Sequence, residues 1–504
     1  MSDSQEKTSR EQRRSESAQR KRGAVDEETR QAQAFRRNTI IAVVCIVLIV
    51  AAAVVINSNL FYRSLTAVTI GNTKYSAAEV DVFYRNTYNS VYSSFGDYAS
   101  YFVDTSTPLT QQQYYGDSEQ TWAQYLYSQT LTNMREITAL YDAAIQGGYT
   151  LTEEDKASID SQIASLELYA SMSGFNSTDR YLVAYYGKGV NEAIYRSVLE
   201  KMLIAQNWSQ QILNGFSYSQ DELNAYYDEH ADELDVLSYY SYTVNASNDA
   251  FASIEDADAQ LAAARETAEG FLAAESAEDF AAIVEGFSGS ELSETHYSGS
   301  TVSSFSADAA AWLLDSARQP GDKTVIESDT GAAAYWFTGR SRNDYHLANM
   351  RHILINTEAD ENGAYTDEAW AAAQAEIDRI ASEWEALPDE DNFAELANEY
   401  SDDSGSNTNG GLYEDITRYQ MVPPIDDFLF NQGAQPGETA KIRVESSNYA
   451  GWHFVYYVGE NEDTYHNELA DSALRNAAYT EYLDGLTASY ATTEGSGSRY
   501  VRVE

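Results

Sequence analysis

Along this chain, one uninterrupted apolar run stands out against long stretches of mixed polarity. Thr39 to Ile56, TIIAVVCIVLIVAAAVVI, is 18 residues without a charged side chain. At helical rise it spans roughly 27 Å, close to the ~30 Å hydrocarbon core of a bilayer. Arg36 and Arg37 stand directly before it. The positive-inside rule therefore predicts a single transmembrane anchor over 38–56, with residues 1–37 cytoplasmic and everything after Asn57 outside. A cleaved signal peptide is the rival reading; the long hydrophilic leader and the β-branched character of the run favour a retained anchor. The leader, rich in Ser, Gln, Arg and Glu, is expected to be disordered.

Beyond the run, TAVTIGNTKYSA from Thr66 predicts strand, Gly-Asn turn, strand. A helical pattern starts at Ala78, and from there to Leu234 nearly everything reads helical; Pro108 is the only proline in residues 57–235. Ser219-Gln-Asp-Glu222 is a capping box, and Thr152-Glu-Glu-Asp155 opens a helix in a similar way. Residues 190–213 carry Ile194, Val198, Met202, Ile204 and Ile212 at helical spacing. Tyrosines crowd the stretches Tyr88 to Tyr101 and Tyr114-Tyr115. Core or interface packing is the expected use of most of them, with adaptable contact to varied partners as the alternative.

From residue 236 one pattern occurs twice. Ser238 to Val244 aligns with Asn349 to Ile355. Phe280, Ile283, Val284 and Phe287 repeat the stripe of Phe393, Leu396, Ala397 and Tyr400. Trp312-Leu313-Leu314 followed by Gln319-Pro320-Gly321 matches Phe428-Leu429-Phe430 followed by Gln435-Pro436-Gly437. Gly331-Ala-Ala-Ala334 matches Gly451-Trp-His-Phe454. Each copy reads strand–helix–helix–helix–strand. The two differ in chemistry: Ser241 stands where the second copy has His352, and Ala333 where it has His453. His466 to Ala488 is again helical, and the chain closes on a Gly/Ser turn and a short strand over 499–504.

Composition sharpens this picture in two respects. Net charge is −47, and because residues 1–37 hold 10 Lys/Arg against 7 Asp/Glu, the remaining residues carry −50. Such a body repels phosphate backbones, which excludes nucleic acid as a partner; it keeps the protein soluble and favours basic clients at most. Cys45 is the single cysteine, so no intramolecular disulfide forms. A large exported protein without disulfides fits a Gram-positive-type envelope better than a periplasm. No phosphate loop, Cys/His metal pattern or nucleophile elbow is present, and neither a cofactor nor a metal is expected.

The second copy concentrates the candidate chemistry. In order come Arg351-His352-Ile-Leu-Ile355, the acidic loop Tyr400-Ser-Asp-Asp403-Ser-Gly-Ser406, Gly410-Gly411, Gln420-Met-Val-Pro-Pro424 and Gly451-Trp-His453-Phe-Val455. These five landmarks resemble the parvulin family of peptidyl-prolyl isomerases. The resemblance implies that His352 and His453 form a hydrogen-bonded pair on neighbouring strands and orient a third group, Asp403. It also implies a slot for the proline ring lined by Met421, Tyr413 in the usual leucine position, Ile425 where phenylalanine is common, and Phe430. The Ser or Thr often found before the second histidine falls on Ala450 or Asn448. Gly410-Gly411 is read as serving the backbone.

The outer region as a whole resembles extracytoplasmic foldases of the PrsA and SurA type. The expected fold class is α+β: a single N-terminal transmembrane helix, a mostly helical chaperone domain over 57–235, a degenerate parvulin-like domain over 236–340, a parvulin domain over 345–460, and a C-terminal helix and tail, 461–504, returning to the chaperone domain. The implied function is a membrane-anchored peptidyl-prolyl isomerase and chaperone. Its partners would be unfolded or newly exported polypeptides and the membrane, with a homodimer left open. The competing reading is a non-enzymatic holdase whose parvulin folds are scaffolds, motivated by Ile425 and Tyr413.

Overall fold

A computed structural model describes residues 3–360, 363–445 and 449–503. The chain divides into two compact units, one formed by Met1–Phe216 with Ala478–Glu504 and the other by Ser217–Ala477. The leader corrects an expectation: Asp3–Asn57 is one helix, continuous through the apolar run. The leader contains no proline and many Gln, Glu, Arg and Ala, all of which favour helix. The stretch long and apolar enough to cross a membrane is Gln33–Val55, with mean hydropathy 2.9.

In the first unit, Thr66–Ile70 and Thr73–Ser76 form the hairpin, turning at Gly71 with φ +56°. A third strand, Thr492–Glu494, lies antiparallel beside Thr66–Ile70, pairing Ile70 with Thr492 and Val68 with Glu494. Ser76 caps the helix Ala77–Ser94 through a reciprocal box with Glu79. The long helices Trp122–Gln146, Glu153–Met172 and Glu192–Gly215 follow. Val68, Ile70, Tyr75, Val80, Phe83, Met134, Ile159, Leu182, Val198 and Val501 share one core. Asp81 is buried beside it. Its Oδ1 accepts from the Arg502 backbone N–H at 2.6 Å, and its Oδ2 has no hydrogen-bond partner among the described residues. Trp208 and Ser209 reach Tyr482 and Tyr479 at 3.3 and 2.6 Å.

The second unit contains two four-stranded antiparallel sheets of the same order. In the first, Thr295–Ser298, Val236–Asn245, Gly331–Ser341 and Lys323–Ser328 lie side by side; in the second, Leu412–Ile416, His346–Asn356, Ala450–Thr464 and Thr439–Glu445. The registers correspond residue for residue. Gly331 pairs with Asn245 as Gly451 pairs with Asn356, and Ser241 with Tyr335 as His352 with Val455. Thr243 faces Ala333 as Leu354 faces His453. The helices correspond too: Ala257–Phe271, Ala277–Ser288 and Ala307–Leu314 against Asp367–Glu385, Glu390–Tyr400 and Pro423–Phe430. Each copy also has two outer strands beyond the expected skeleton.

The unit boundary differs from the expected one. The helix Gln220–Glu229, placed with the helical domain by its sequence position, belongs to the second unit. Tyr227 stacks on the His466 ring at 4.1 Å and accepts from Asn343, while Asp228 pairs with Arg342 at 2.7 Å. The terminal helix Tyr465–Thr487 is shared, its residues up to Ala477 counting with the second unit and the rest with the first.

Candidate functional site

Strand periodicity positions the site. Side chains two apart share a face, so Met350, His352 and Leu354 project from one face of His346–Asn356 while Ile353 takes the other. Ile353 packs with Ile377, Ile380, Trp384, Phe393 and Phe454 under the two long helices. On the neighbouring strand His453, Val455 and Tyr457 share the face of His352, and Phe454 and Tyr456 turn to the helices. The two histidines are thereby brought together from adjacent strands. His352 Nε2 lies 2.7 Å from His453 Nδ1, with both residues buried.

A loop then folds over the strand. Leu354 N–H donates to Ser401 Oγ at 3.1 Å, Asp402 N–H to Leu354 O at 2.8 Å, and Asn356 N–H to the Asp402 carboxylate at 2.8 Å. Gly411 closes the loop: its carbonyl accepts from His352 N–H at 2.8 Å, and its φ is +70°. A Cβ there would stand 2.3 Å from His352 O, so only glycine fits.

Asp403 stands beside the pair, its Oδ2 3.6 Å from His352 Nδ1. The same oxygen accepts from Ser406 Oγ at 2.5 Å and Tyr413 OH at 2.8 Å, and Oδ1 accepts from Gly405 N–H at 3.1 Å. The His352 ring and these donors hold the carboxyl well below the usual carboxylate range, against the opposing effect of burial. At the other end Tyr449 OH lies 3.3 Å from His453 Nε2. Burial, aided by the neighbouring His352, depresses His453 to about 3. With Asp403 ionised and both imidazoles taken as neutral, one proton arrangement fits the row. His352 Nδ1–H points at Asp403, His453 Nδ1–H donates to His352 Nε2, and Tyr449 O–H donates to His453 Nε2.

This row forms one wall of a cavity of about 360 Å³. Met350, Leu354, Met421, Val422 and Ile425 supply apolar surface, and Tyr413, Asn356 and Gln420 complete the rim. Of the slot residues expected from the sequence, Tyr413, Met421 and Ile425 line it. Phe430 does not. In the helix Pro423–Phe430 it follows Ile425 by five residues, roughly 140° around the axis, and it turns instead to Tyr345, ring centroids 5.6 Å apart, and to Arg418. The polar partner of the second histidine is also reassigned. Ala450 is buried, Asn448 lies outside the described residues, and Tyr449 carries the hydroxyl. Its position four residues before His453 was the available signal. Met350 and Leu354 were legible as the alternate neighbours of His352 but were not drawn from the sequence.

Residues 352–458 match the family model described as Rotamase: PPIC-type PPIASE domain. These residues form a parvulin-type domain. Chaperone SurA of Pseudomonas aeruginosa is 26% identical to this chain over 147 residues, 28% of this chain and 31% of that protein. The match thus spans under a third of the relative's own length. Among solved structures, the peptidylprolyl isomerase PrsA of Bacillus anthracis is 22% identical, covering 29% of this chain and 59% of that one with a TM-score of 0.17. PrsA of Bacillus cereus is 14% identical, covering 59% and 85% with a TM-score of 0.19. In the parvulin-like copy that precedes the matched domain, the registers above set Ser241 and Ala333 at the histidine positions.

Proposed function

We propose that the parvulin domain isomerises X-Pro peptide bonds, within a membrane-anchored, extracytoplasmic foldase that also holds unfolded chains. The observation that carries the reading is the row Asp403–His352–His453–Tyr449 standing as a polar wall against an apolar slot. Isomerisation breaks no covalent bond. The obstacle is the partial double-bond character of the amide, a barrier of roughly 18–20 kcal/mol. A catalyst must favour the twisted amide, in which conjugation is lost and charge withdraws from the carbonyl oxygen. Met421, Val422 and Ile425 would take the proline ring and strip water from it. The fixed dipoles of the wall, held in one proton arrangement, would face the amide without reorganising during rotation. Asp403 would act by fixing that arrangement.

The anchor reading rests on the apolar helix and the arginines before it, and the client reading on the matched chaperone. The holdase alternative draws support from Asp403, whose oxygens are already taken by Ser406, Tyr413 and Gly405, leaving less of the carboxylate for a substrate. A protease-coupled or NMR exchange assay on a proline tetrapeptide with the outer region decides between them. Turnover that falls at least about tenfold in His453→Ala supports the isomerase, and a wild-type rate equal to the uncatalysed one refutes it.

A further inference from the structure

The turn that delivers Met421 and Gln420 to the slot has unusual backbone. Tyr419 adopts φ +65°, a left-handed conformation that a bulky side chain keeps only when its surroundings hold it. From inside the domain two groups do so. Tyr419 N–H donates to the Asp426 carboxylate at 2.5 Å, and Gln420 Oε1 accepts from Thr417 N–H at 2.9 Å. The outer side of the turn is held by another part of the same unit. The His296 ring, from the edge strand Thr295–Ser298 of the first copy, stacks flat on the Tyr419 ring with centroids 3.7 Å apart and planes 7° from parallel. Ser238 Oγ, 2.7 Å from His296 Nδ1, fixes the imidazole, and Glu294 stands 3.6 Å from Nε2. A cavity of about 310 Å³ opens beside the stack, with Arg418, Asn343 and Tyr465 also on its wall. The copy that lacks the histidine pair therefore places its own histidine two residues from the slot methionine of the other.

We propose that His296 is a positioning residue for the proline slot: by clamping Tyr419 it holds Gln420 and Met421 in the binding geometry, so the degenerate copy tunes substrate binding by its neighbour. The inference rests on the isomerase reading. Its effect falls on binding more than on the polar wall, because the wall is built from strands and loops that His296 does not touch. The test uses the full chain. His296→Ala should raise KM for a proline tetrapeptide about 3- to 10-fold, in line with the loss of one aromatic pair, with kcat kept within about twofold. Amide exchange over 417–425 should accelerate. His296→Phe should restore both. Tyr419→Gly, which tolerates the positive φ and removes the ring from the other side, should reproduce His296→Ala, and the double variant should be no worse than either alone. Unchanged KM and unchanged exchange in both single variants would overturn the inference, as would additive effects in the double. Absence of wild-type turnover would instead remove the isomerase reading, and the exchange measurements would then decide the clamp by themselves.

Discussion

At the residue scale, the histidine pair ties stability to pH in a definite direction. His453 titrates at about 3 in the fold because burial disfavours its charged form, whereas an unfolded histidine titrates near 6.5. Below about pH 6.5 the unfolded chain takes up a proton that the folded one refuses. Stability is therefore full above that pH and falls as the pH drops towards 3, by at most about 1.4 kcal/mol per unit. Urea melts of the second unit at pH 7.5, 6 and 5 should show the decline, and His453→Leu should flatten it; an equal slope in both would exclude His453 as its source. Asp403 leads to a second expectation. A loop carboxylate that merely faced a slot would be nearly free of structural consequence when removed. In the fold it accepts from two hydroxyls and a backbone N–H, so Asp403→Ala should cost about 1–3 kcal/mol in the urea midpoint as well as turnover. A variant with wild-type stability would show that Ser406 and Tyr413 find other partners.

At the element scale, what could be read in advance follows the strength of each periodic signal. The helices with capping boxes at Ser219 and Thr152, the Gly-Asn hairpin and the paired strands around His352 and His453 carry repeating patterns, and they stand where the pattern put them. The edge strands Thr295–Ser298 and Leu412–Ile416 are four and five residues long, and the latter, LYEDI, mixes acidic and apolar residues. No period of two survives over such a length. Phe430 was misplaced for a related reason, since correspondence along a chain does not fix the angle around an eight-residue helix. Tyr449 was missed because the polar group was sought at Ala450 or Asn448 and lies between them, one residue before the strand. The double glycine was legible, and its consequence is measurable. Gly411→Ala meets a positive φ and a carbonyl oxygen at once, so it should destabilise the domain by about 3 kcal/mol and blunt turnover. A thermal midpoint unchanged from wild type would disprove the close approach.

At the scale of the whole molecule, the first unit is assembled from two segments that lie far apart in sequence. Asp81 marks the joint: its carboxyl, pushed up to about 8 by burial against the opposing pull of the Arg502 N–H and charge, is worth most to the fold when protonated. Docking of the C-terminal segment should then be tightest at acid pH, weakening as pH rises from about 4 through 8. Asp81→Asn keeps an acceptor for Arg502 without the buried charge. It should raise the protection of Val68 and Ile70 amides at pH 8 and remove the pH dependence; lower protection at every pH would mean that the carboxylate is needed as an ion.

That joint also sets an order of events during synthesis. Thr66–Ile70 is made well before its partner strand Thr492–Glu494, which follows it after both repeated sheets. At about 5–20 residues per second the wait is on the order of 20–80 s. Throughout it, one edge of the hairpin is open and the core lacks Val501, while both repeated sheets between them can finish folding. The first unit thus closes only once Thr492–Glu494 and Val501 have been made. A chain halted after residue 477 should consequently display a protease-resistant second unit joined to a first unit that is readily digested. Adding back a peptide of residues 478–504 should restore the resistance of the first unit, because it supplies the missing strand.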